Sequence, residues 1–70
     1  MYSTQTQSLN TMTSSDYHVM AAQHHEEAAV SHRNAAAHYD YGNYQDAHVQ
    51  ARTAKESTEL AVHHCNMALK

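Results

Sequence analysis

The sequence predicts an all-α fold: an antiparallel hairpin of two long helices, expected to dimerise into a four-helix bundle. Three observations carry that prediction. A seven-residue phrase repeats from His18 to Tyr39, reading HVMAAQH, HEEAAVS and HRNAAAH. Gly42, the sole glycine, divides the remaining chain in two. There is no proline, and the stretch from Tyr17 onward is rich in Ala, Glu, Gln, Lys and Arg, which lose least on entering a helix. A repeat of seven does not fit a strand, whose side chains alternate. On a helix it draws one narrow seam nearly parallel to the axis.

The elements follow in order. Residues 1–12 are rich in Ser, Thr and Gln without a period, and are expected to form a flexible polar tail. The hairpin then spans 13–70. Thr13 followed by Asp16 fits a capping box, so helix one is expected from about 14 to 41. Gly42 suits the left-handed position after a helix C-terminus. Asn43 is the expected N-cap of helix two, with Asp46 as its partner, and that helix is expected over 44–69 with Lys70 near its end.

Two seams are expected to meet. On helix one, His18, His25 and His32 alternate with the alanine pairs Ala21-Ala22, Ala28-Ala29 and Ala35-Ala36. On helix two, Ala47, Ala51, Ala54, Thr58, Ala61, Cys65 and Ala68 follow a four-and-three spacing. Turning the chain at Gly42 sets His32 near Arg52, His25 near Thr58 and Glu59, and His18 near Cys65 and Asn66. Neutral imidazoles in such an interface would fix register through hydrogen bonds, and the hairpin would loosen as pH falls toward 5.

Composition narrows the function classes. The chain has 70 residues and net charge −3 with histidine neutral, and its 41% hydrophobic content includes twelve Ala and five Tyr but no Ile, Phe or Trp. A core of this kind rarely supplies more than about 3–5 kcal/mol, so self-association is the expected remedy. Four Lys and Arg provide no basic stripe for nucleic acid. No run approaches the roughly 18 apolar residues of a membrane span, and the first fifteen residues lack the features of a secretory signal. The single cysteine, Cys65, agrees with a reducing, cytoplasmic setting.

Eight histidines raise the question of metal. A helix chelates one ion through histidines at i and i+4, and no two histidines here are three or four residues apart. His18, His25 and His32 are spaced by about 10 Å along the axis. The mixed pairs His24 with Glu27, Glu59 with His63, and His63 or His64 with Met67 remain. A zinc, nickel or copper site would have to form between helices, drawn from His18, His25, Glu59, His63, His64 and Cys65. Catalysis has little support. Cys65 and His64 are adjacent and diverge on a helix, and a ferritin-like site needs Glu-x-x-His, whereas helix one offers His24-x-x-Glu27. Tyr39, Tyr41 and Tyr44 are expected to cap the turn.

Two resemblances bear on this. The segment Ala37-His38-Tyr39-Asp40-Tyr41-Gly42-Asn43-Tyr44-Gln45-Asp46-Ala47 resembles the inter-helix turn of a tetratricopeptide unit, in one copy and without the second period a solenoid needs. From Ala21 to about Ala54, His24-His25-Glu26-Glu27-Ala28-Ala29, His32-Arg33-Asn34-Ala35-Ala36, His38-Tyr39 and Gly42 resemble small, uncharacterised His/Ala-rich bacterial proteins. Those repeat a phrase like HHEEAA-x-HHREAA-x-HYEAG. The resemblance implies a bacterial cytosolic hairpin and no catalytic activity. Ser31 departs from it, as does a second helix poorer in histidine. The expectation is a small non-enzymatic, self-associating interaction or assembly module without a cofactor. The alternative is a protein that binds or buffers zinc, nickel or copper.

Overall fold

The computed structural model describes residues 12–70, so the expected tail lies outside the described residues except for Met12. Two helices, α1 (Ser14–Asp40) and α2 (Tyr44–Ala68), pack antiparallel along their length, and the described residues contain no strand. The molecule measures 52 × 24 × 13 Å, a slab one helix thick.

The capping box at the start of α1 forms as the sequence predicts. Asp16 N donates to Thr13 Oγ1 at 3.1 Å, and Thr13 N donates to Asp16 Oδ2 at 3.1 Å. Two of the four orphan amides at the helix start are thereby satisfied. At the other end, Gly42 takes φ +80°, Gly42 N donates to the Tyr39 carbonyl at 3.1 Å, and Asn43 N donates to the His38 carbonyl at 2.8 Å. These two bonds make a Schellman motif, which stops α1 and turns the chain back.

The start of α2 differs from expectation. Asn43 sits at the N-cap position, but its side chain makes no capping bond and Asp46 does not reach back to it. Asn43 contributes only its carbonyl, which accepts from Ala47 N at 2.9 Å. Its amide is already committed to closing α1, and its backbone (φ −85°, ψ 69°) lies off the extended conformation that aims an N-cap side chain at the first turn. Lys70 falls beyond the end of α2, past the C-cap Leu69.

The fully buried positions of the interface are held by small side chains. Ala21, Ala28, Ser31 and Ala35 of α1 are buried against Ala47, Ala54, Ser57, Ala61 and Ala68 of α2. The heptad spacing holds, but its phase on α1 is one residue away from the line of His18, His25 and His32, all three of which are exposed. Each repeat offers two adjacent alanines, so two neighbouring lines along the helix are equally apolar. The line through Ala21, Ala28 and Ala35 passes through His24 and, at its centre, Ser31. The line through Ala22, Ala29 and Ala36 passes through His25 and His32. The buried line is the one that sets Ser31, rather than a histidine, at the middle of the hairpin, where the backbones approach closely.

The same rule operates on α2, where Ser57 takes the buried place expected for Thr58. Thr58 is exposed, and its hydroxyl donates to the Ala54 carbonyl of its own helix at 2.9 Å. Arg52 Nη2 meets His48 Nε2 at 3.2 Å on its own helix rather than His32.

Candidate functional site

The chemistry of this chain collects at the open end of the hairpin, away from the turn. Tyr17 and His24 are seven residues apart and therefore lie on one line of α1, on either side of buried Ala21. His64 occupies the matching line of α2, seven residues beyond Ser57. The antiparallel pairing brings the three rings together. His24 and His64 stack at 5.1 Å between ring centroids with planes 6° apart, and Tyr17 stacks with His64 at 6.1 Å and 24°. His63 meets the same ring edge-on at 5.3 Å and 65°. Between the buried pairs Ala21 and Ala28 of α1 and Ala61 and Ala68 of α2, aromatic rings fill the space between the helices.

The polar atoms of this cluster are unequally served. His24 Nδ1 lies 2.8 Å from Glu27 Oε1, one turn along α1, a contact that fixes the imidazole's orientation. His64 Nδ1 is enclosed and has no hydrogen-bond partner. A bare ring nitrogen is tolerable there only as an acceptor, which assigns the proton of neutral His64 to Nε2. Burial holds the pKa of His64 below the usual histidine value, and repulsion from His24 and His63 acts in the same direction.

The other candidate ligands are dispersed. His18, His25 and Glu59 are exposed, and His63, also exposed, touches only the flank of His64. Cys65 is free and half-buried beside it. Among the described residues, no group of three or more His, Cys, Asp or Glu side chains is placed to hold an ion. Of the mixed pairs considered from spacing, His24 with Glu27 is the one closed by a hydrogen bond. Tyr17 is the member of the cluster that the sequence reading passed over. Its signal was available: it precedes His24 by one heptad.

Two other features complete the surface. Tyr39 and Tyr44 make a tilted pair at 6.2 Å across the turn, while Tyr41 projects away at 82% exposure, so the expected tyrosine cap is a pair rather than a trio. An open trough runs beside the serine layer, lined by Gln23, Glu27, Val30, Ser31, Thr53 and Ser57 among others. No described helix is long and apolar enough to cross a membrane. No protein-family model matches this chain, and no curated protein or solved structure does either.

Proposed function

We propose that this chain is a small, non-enzymatic helical module that acts by self-association, two hairpins packing face to face into a four-helix bundle. One observation carries the reading: among the described residues only alanine and serine are fully buried, while the valines and leucines lie outside. Val19, Val30, Val49, Leu60, Val62 and Leu69 are all 46–76% exposed. Single exposed apolar residues are ordinary on protein surfaces. A fold that leaves its described valines and leucines exposed has put most of that hydrophobic payload where another surface can use it.

Thickness supports the same conclusion. Stable domains place two or three layers of secondary structure around a core, and the two described helices form one. A second hairpin supplies the missing layer with no new sequence. The test is native mass spectrometry of the full, untagged chain at pH 7.5, prepared with and without EDTA. The expected result is a metal-free dimer or larger assembly that survives the chelator. A monomer throughout the micromolar range overturns the proposal. An assembly that forms only with a fixed number of zinc, nickel or copper ions replaces it with the metal-binding reading.

A further inference from the structure

We propose that the His24–His63–His64 cluster is a proton-operated latch that holds the open end of the hairpin shut when His64 is neutral and releases it when that ring is protonated. The inference concerns the two helices of one chain and does not depend on self-association.

The geometry supplies two reasons for release. Protonation at Nδ1 would place an N–H donor in an enclosed position where no acceptor exists. It would put a cation 5.1 Å from the parallel His24 ring and 5.3 Å from His63, both of which can themselves carry a proton. The titratable groups that face His64 are Tyr17 and His24 from α1 and His63 from α2. The nearby acid Glu27 is engaged with His24 rather than with His64.

The sign follows from linkage. His64 binds a proton less readily in the closed hairpin than in an open or unfolded chain. As pH falls below about 6.5, the open form takes up the proton first and gains population. The loss continues until the folded ring is protonated too. Above about 7.5 the latch is fully engaged, because neither form is charged.

The location predicts a local event. The turn end keeps its covalent link, its Schellman bonds and the Ala35 and Ala47 contacts, none of which titrates in this range. Opening should therefore run inward from Ser14 and Ala68 and stop near the serine layer.

The test is amide hydrogen exchange on the full chain in EDTA from pH 7.5 to 5, expressed as protection factors so that the intrinsic pH dependence cancels. The expected result is a loss of protection over 14–27 and 57–68 as pH drops through the histidine range, with 31–54 retained. His64→Gln should abolish that pH dependence, whereas His32→Gln, an exposed control, should keep it. Parallel loss at both ends, or a His64→Gln protein that tracks the wild type, overturns the latch. A second readout does not depend on any variant's folding: NMR titration of the wild-type ring protons. His64 is expected to titrate below the usual histidine value of about 6.5, and a midpoint at or above that value overturns the proposal.

Discussion

The two ends of the hairpin are held by different kinds of interaction. At the turn, α1 and α2 are joined by the chain itself, by the Gly42 and Asn43 amide bonds to Tyr39 and His38, and by fully buried Ala47 nearby. These are backbone and methyl contacts, indifferent to proton concentration. At the open end there is no covalent link, Ala68 is the last seam residue, and aromatic rings with one unpartnered nitrogen bridge the helices. The first arrangement is stiff and silent. The second closes only in one protonation state. Placing the stacked histidines of the interface opposite its tether makes partial opening possible without loss of the pairing register.

That comparison can be broken most forcefully by overfilling the seam. Ala47 has no exposed surface, so Ala47→Leu must push the backbones apart and should cost about 1–3 kcal/mol. Ala68→Leu, at the frayed rim with 8% exposure, should cost much less. Thermal melts of both at matched protein concentration check this, and equal losses would show that the two ends are packed alike.

Backbone substitutions give the next effect. Gly42→Ala meets no steric neighbour within 4 Å, so its penalty is that of the positive φ alone, about 1–2 kcal/mol. Thr13→Ala removes one half of the capping box and should cost about 1 kcal/mol. The two should separate by location in hydrogen exchange, with the glycine change felt at the turn and the threonine change near Ser14. The smallest effect tests the phase of the seam. His32→Ala, on the exposed line, should leave hairpin stability within about 0.5 kcal/mol. Ser31→Leu, one residue earlier and buried, should behave like an overpacked core position.

These neighbours mark where sequence reading stops. The capping box at Thr13 and Asp16 was legible because its chemistry is local and its spacing fixed. Gly42 was legible because no other residue in the chain takes a left-handed turn without strain. The repeat of seven announced a helix seam, but its doubled alanines left two phases open, and the conspicuous histidines pointed to the wrong one. Nothing within α1 distinguishes Ala21 from Ala22. The choice is made by the distance to α2, which the chain acquires only on folding.

The candidate site divides in the same way. His24 with Glu27 is an i,i+3 pair and could be read from spacing, as could the weakness of any single-helix chelate. That His64 would lie between Tyr17 and His24 could not, because it needs the register of two helices and the knowledge that Ser31 and Ser57, not His32 and Thr58, set it. By itself, the sequence determined what is encoded within a few residues: two helices, the caps at Thr13 and Gly42, the turn between them and a heptad seam of small residues. Tertiary structure alone decided which line of that seam is buried, which histidines face solvent, and which one loses its hydrogen-bond partner. Local hydrogen bonding and backbone strain act within one turn of a helix, whereas burial and ring stacking depend on what the opposite helix brings.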